Sequence, residues 1–149
     1  VETLYFRVFR RIISLASRLH LLAVSFGHFT MPHLKIETNL PRSSIPSDFV
    51  SKAVPVLAET LGKPKEYCVV SVISDIPMSF GGTSGPCAIA NLMSIGSLGV
   101  EQNKKHSKVI AELVEKELGI KSDRMYISFK DAASSDVGFN GTTFHTIMG

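Results

Sequence analysis

The stretch YCVVSVIS, residues 67–74, decides the fold class. It is a near-continuous run of β-branched and apolar residues, the pattern of a strand covered on both faces. Upstream of it, Phe49, Val50, Ala53, Val54, Leu57, Ala58 and Leu61 share one helical stripe that stops at Gly62. Pro46 suits a first helical turn, preceded by serines that can cap it, and Pro55 is expected to bend the axis by removing a hydrogen bond. Earlier still, HLKIETN, residues 33–39, alternates Leu34, Ile36 and Thr38 on one face, as a strand does, and LPRSSIP, residues 40–46, is turn chemistry.

The same order returns downstream. DIPMSFGGTSGP, residues 75–86, is a loop; CAIANLMSIG, residues 87–96, reads as a third strand. A second helix spans 100–118 with Val109, Ile110, Leu113, Val114 and Leu118 inward, and ends at Gly119. DRMYISFK, residues 123–130, is a fourth strand, and the tail SSDVGFNGTTFHTIMG, residues 134–149, turns at Asn140-Gly141. Leu34 and Leu92 are 58 positions apart, as are Tyr67 and Met125. The equal spacing predicts an α/β domain of two βαβ units, a four-stranded mixed sheet with two helices on one face. Strands two and four look apolar on both faces, so the uncovered face must find a cover. A homo-oligomer is expected.

At 149 residues and 44% apolar composition the chain suits one domain. Its net charge of +3 is carried by residues 1–30, where Arg7, Arg10, Arg11 and Arg18 face only Glu2. In residues 31–149, 12 Lys and Arg balance 12 Asp and Glu. A neutral domain without a basic stripe argues against nucleic acid as a partner, since such binding needs clustered cations. Two cysteines are too few for a disulfide framework. No apolar run approaches the roughly 18 residues of a membrane span, so no membrane is expected. Residues 1–30 form a basic leader, expected to lie outside the mature domain of 31–149. Its Arg-rich, acid-poor composition resembles an organelle transit peptide, while Leu19 to Phe26 makes a poor secretory signal broken by His20. The chain opens on Val1, and the third reading is translated upstream sequence.

Six blocks carry a family resemblance: MPHLKIETNLPR (31–42), LGKPKEY (61–67), FGGTSGPCAIANLMSIGSLG (80–99), NKKHSKVIAELVEKELGI (103–120), DRMYISFKD (123–131) and NGTTF (140–144). In order and with almost no gaps, they resemble the macrophage migration inhibitory factor family, which with D-dopachrome tautomerase belongs to the tautomerases that use an amino-terminal proline. The resemblance implies a trimeric fold and a keto–enol tautomerase acting on phenylpyruvate-like, and in some cases dopachrome-like, substrates. It also implies a cytokine-like alternative, in which the surface binds a cell-surface receptor and the pocket is incidental. It further implies a cytoplasmic protein, or one exported without a classical signal.

The resemblance assigns the base to Pro32. A terminal proline is a secondary amine with a basic lone pair, whereas an internal proline nitrogen is an amide without one. A free α-amino group has a pKa of roughly 7.7–8.0, and burial or a nearby cation lowers it. A neutral amine can then take a proton from carbon beside a carbonyl. Lys63 resembles the family lysine that holds the substrate carboxylate, and Ile95 the position whose backbone lines the pocket. Tyr126 and Phe139 resemble aromatic walls supplied by a neighbouring subunit, Phe139 standing where vertebrate members usually carry Trp. Ser128 replaces a family Asn that bonds substrate, and Val137 and Phe144 complete the apolar lining.

Other motifs carry less. FGGTSGP lacks the Gly-Lys-Ser/Thr ending of a phosphate loop. The five histidines show no ligand spacing, so no metal is expected, and the chemistry asks for no cofactor. Asn140-Gly141-Thr142 is formally a glycosylation acceptor but reads as a turn. The family's Cys-x-x-Cys is Cys87-Ala88-Ile89-Ala90 here, which excludes a two-thiol redox cycle at that site.

Overall fold

The computed structural model describes residues 30–149, so the basic leader, apart from Thr30, lies outside the described residues. Four strands, β1 (His33–Thr38), β2 (Val69–Ile73), β3 (Ala88–Ser94) and β4 (Met125–Asp131), form one sheet in the order β2-β1-β3-β4. β1 and β2 are parallel, as are β3 and β4, and the two pairs meet antiparallel at β1 and β3. This is the doubled βαβ arrangement that the 58-residue spacing predicts. Helix α1 (Phe49–Leu61) joins the first pair and α2 (Val100–Leu118) the second.

Alternation along the strands separates the two faces. Leu34, Ile36, Ala88, Ala90 and Leu92 are buried and meet Phe49, Leu57 and Leu61 of α1 and Ile110, Val114 and Leu118 of α2 in one core. The opposite face carries Lys35 paired with Glu37, and the exposed Ile89 and Tyr126. Both helices end where glycine takes the left-handed conformation, Gly62 at φ +64° and Gly119 at φ +68°. Among the described residues no helix is long and apolar enough to cross a membrane.

Several expectations change. The first helix starts at Phe49 after Asp48, not at Pro46, and a 3₁₀ turn at Arg42–Ser44 precedes it. Val50, expected inward, is exposed, because the stripe is narrower than the run of apolar residues. β2 is an edge strand with Val69 and Ile73 exposed, so the apolar run that suggested cover on both faces is open on one side in the single chain. The tail makes the hairpin β5 (Gly138–Phe139) and β6 (Thr142–Thr143), then a short helix α3 (Phe144–Met148) that no periodicity announced. Asn140 and Gly141 both have positive φ, as a two-residue hairpin turn requires.

Candidate functional site

Gly62 reverses the chain at the end of α1, and the Lys63 N–H returns to the Ala58 carbonyl at 2.9 Å. The turn sends the Lys63 side chain inward, where the residue is 8% exposed. Its Nζ donates to the carbonyl oxygen of Ile95 at 3.1 Å. Burial holds the Lys63 ammonium below its ordinary pKa of 10.5, with Asp131 and Cys68 acting in the opposite sense. The Cys68 thiol is pushed up, first by burial and then by Glu66.

Ile95 opens the loop after β3. Gly96 follows at φ +69° and its N–H donates to the Asp131 carboxylate at 2.8 Å, so the end of β4 fixes the loop that carries the Ile95 carbonyl. Ile95, Ala132, Val137 and Phe144 form a second buried cluster, with Met31, Tyr67, Met93 and Met148 packed against it. The Asn140-Gly141 turn folds Phe139 back over Phe144, ring centroids 5.6 Å apart and stacked. Tyr67 closes the group, edge-on to Phe139 at 5.9 Å and to Phe144 at 6.5 Å.

Pro32 lies at the head of β1 and is wholly buried; its carbonyl accepts the Val69 N–H at 2.9 Å. His33 faces Met93 across the ladder, so Pro32 comes at the Ser94 end of β3, next to Ile95. Ser94 is itself wholly buried and its hydroxyl has no hydrogen-bond partner. One end of the sheet therefore holds Pro32, Lys63, Ile95, Val137, Phe139 and Phe144. It is a mostly apolar gathering with one buried cation.

Phe139 packs within its own chain against Tyr67 and Phe144, where the tight hairpin returns it, and stays half-exposed. Tyr126 and Ser128 are not in this gathering. They project from the uncovered face of β4, where Tyr126 stands 5.0 Å from the Phe80 ring and the Ser128 hydroxyl donates to the Asn91 side chain. Sequence reasoning missed Tyr67, read as the opening of a strand, although an aromatic four residues after Lys63 was a usable signal. It also missed Asp131 and the buried His106. Among the described residues no three His, Cys, Asp or Glu side chains converge as a metal site would need. A groove of about 600 Å³ between α1 and α2 is lined by Val56, Thr60, Lys105 and Val109 among others and contains none of these site residues.

The family described as macrophage migration inhibitory factor matches residues 31–145. The rat macrophage migration inhibitory factor is 44% identical over 114 residues, covering 76% of this chain and 99% of the relative. A homologue from Brugia malayi is 43% identical over the same length and shares. Among solved structures, the Trichinella spiralis factor superposes with a TM-score of 0.73 at 38% identity, covering 75% of this chain and 99% of that one. A homologue from Prochlorococcus marinus gives 0.70 at 32% identity, with 75% and 98% covered. The matched span thus corresponds to nearly the whole length of these relatives.

Proposed function

This chain belongs to the macrophage migration inhibitory factor family, and from that premise we propose that it is a keto–enol tautomerase of small aromatic keto acids, phenylpyruvate-like and possessing a free amino terminus at Pro32. The observation that supports the reading best is the buried Lys63 beside an apolar, aromatic cluster at the Pro32 end of β1, which we read as the wall of a recess. Such a recess suits a ring, and a lone buried cation suits a carboxylate.

In this mechanism the Pro32 amine removes a proton from the carbon between ring and carbonyl, the carbonyl oxygen takes a proton from solvent water, and the protonated amine returns its own to solvent, giving the enol. The return transfer gives the keto form. Lys63 holds the carboxylate. Phe139 covers one face of the ring, and Ile95, Val137 and Phe144 line the recess. Tyr126 and Ser128 reach the recess of an adjacent copy in a homotrimer, which would also cover the apolar groups left open on the sheet. Dopachrome-like compounds are the second substrate class. No cofactor takes part, since the reacting carbon is already acidified by its carbonyl.

Met31 packs against the cluster of Ile95, Ala132, Val137 and Phe144, so in this reading it occupies the recess as well as converting the proline nitrogen to an amide. Residues 1–31 are therefore absent from the active form. We place that form in the cytoplasm or outside the cell by a route without a classical signal.

The test is Pro32→Gly in protein whose first residue is Pro32. Turnover of phenylpyruvate is expected to fall by roughly 10²–10⁴-fold, and unchanged turnover would overturn the mechanism. The intact mass of protein from its natural source reads directly whether Pro32 is the first residue. The relatives' names denote an action on macrophages, which favours a second reading as a cytokine-like ligand for a cell-surface receptor. Receptor binding that survives Pro32→Gly would show the two roles to be separate.

A further inference from the structure

We infer that His106 is a positioning residue for the Lys63–Ile95 contact, and through it governs how tightly the recess holds a carboxylate. The inference rests on the reading of Lys63 given above. His106 is 3% exposed and shares its helical stripe with Ile110, Val114 and Leu118. A buried imidazole must satisfy both nitrogens. Nδ1 lies 2.9 Å from the Thr60 hydroxyl, and Nε2 lies 2.9 Å from the Ser97 carbonyl oxygen. A carbonyl can only accept, so Nε2 donates to Ser97, and in the neutral ring Nδ1 then accepts from the Thr60 hydroxyl.

Those two partners belong to different segments. Thr60 is in the last turn of α1, three residues before Lys63; Ser97 is two residues after Ile95. One ring therefore ties together the two stretches whose ends meet at 3.1 Å as ammonium and carbonyl. The loop needs such a tie. Ser97 holds φ at +60°, which disfavours a non-glycine residue and persists only when surrounding bonds fix it. The Gly96–Asp131 bond fixes one side of that residue and the His106–Ser97 bond the residue itself. The ring is set 6.5 Å from that of Phe129 on β4, so its position is referred to the sheet.

Lys63 has three N–H donors, and the one given to Ile95 sets the direction of the other two. If the Ile95 carbonyl drifts, the ammonium swings with it, and an anion placed against the remaining donors loses its geometry. An ordinary core residue at 106 would support packing alone, without any preference for a charged ligand.

The test compares binding of 3-phenylpropionate and its neutral amide by protein beginning at Pro32, using titration calorimetry. With His106→Phe, which keeps an aromatic ring and loses both bonds, the Kd of the acid is expected to rise about tenfold while that of the amide stays unchanged. Thr60→Val, which removes one bond only, should raise the acid's Kd about threefold, and Thr60→Ser should restore it. Should His106→Phe not fold, the Thr60 pair decides. Acid and amide weakening together, or neither weakening, would overturn the inference. A parent that binds the acid no tighter than the amide overturns both this inference and the role of Lys63. A parent that prefers the acid yet turns over no phenylpyruvate overturns the isomerase and leaves His106 its role.

Discussion

Lys63 and Ile95, 32 residues apart in sequence, meet nitrogen to oxygen at 3.1 Å and so join the end of α1 to the loop after β3. The bond leaves a buried cation whose direct partner is a neutral carbonyl. Asp131 eases the burden from a distance but does not outweigh burial. A site in that condition favours an entering anion, because the anion supplies the compensation that the protein withholds.

The first prediction follows from the sign of the Lys63 shift. Its folded pKa lies below 10.5, so as pH rises toward 10.5 the native side chain loses its proton while the unfolded chain keeps it. The unfolded state then binds more protons, and stability contributed at this position rises with pH through that window. Carboxylate affinity should fall over the same window. Titration of 3-phenylpropionate should show this decline in the parent and a flat, weak response in Lys63→Gln. Urea unfolding should show the stability gain vanish in Lys63→Met.

The second concerns the aromatic wall. Phe144 is wholly buried and Phe139 is half-exposed, the two rings stacked at 5.6 Å. Phe144→Ala should cost about 3–5 kcal/mol through the cavity it leaves. Phe139→Ala should cost about 1–2 kcal/mol, since much of its surface already meets water. A double-mutant cycle by urea unfolding should give a coupling of about 0.5–1.5 kcal/mol, as aromatic pairs do.

Arg124 carries the third. Its guanidinium donates to the carbonyls of Phe80, Gly85 and Pro86 at 3.1, 2.9 and 3.2 Å, and to Thr83, and lies 5.3 Å over the Phe80 ring. A lysine ammonium cannot reproduce that planar fork. Arg124→Lys should cost about 1–2 kcal/mol and speed amide exchange across residues 80–86. Because Phe80 rests on Tyr126, turnover should fall as well, with a larger effect on KM than on kcat.

The fourth tests the open sheet face. Ile89 is exposed and stands in register with Tyr126. Sedimentation equilibrium should give three times the chain mass for the parent. Ile89→Lys should move the population toward single chains and, if copies share Tyr126 as proposed, lower turnover in proportion.

The fold was legible where periodicity and glycine punctuation agreed. Gly62 and Gly119 end both helices as expected, and the 58-residue spacing foretold the paired parallel ladders. The start of α1 was misplaced because Pro46 and its serines carry a turn signal as well as a helix signal, and the turn prevailed. The resemblance points to Lys63 and Ile95, which the structure brings into contact, whereas nothing in the sequence points to the ties of His106. Its partners are 46 and 9 residues away, and hydrogen bonds of that span leave no periodic trace. The Asn140-Gly141 turn announces a reversal but not what the returning strand meets, so the packing of Phe139 on Tyr67 and Phe144 was not legible.

The bond from the Val69 N–H to the Pro32 carbonyl has a consequence for timing. Chain ends ordinarily fray, and a reactive group at a frayed end must be caught anew on each encounter with substrate. Here the residue is stitched into the rim of the sheet by its own backbone. An amine created there by cleavage would be aimed from the moment the domain folds, its wandering already curbed before any substrate arrives.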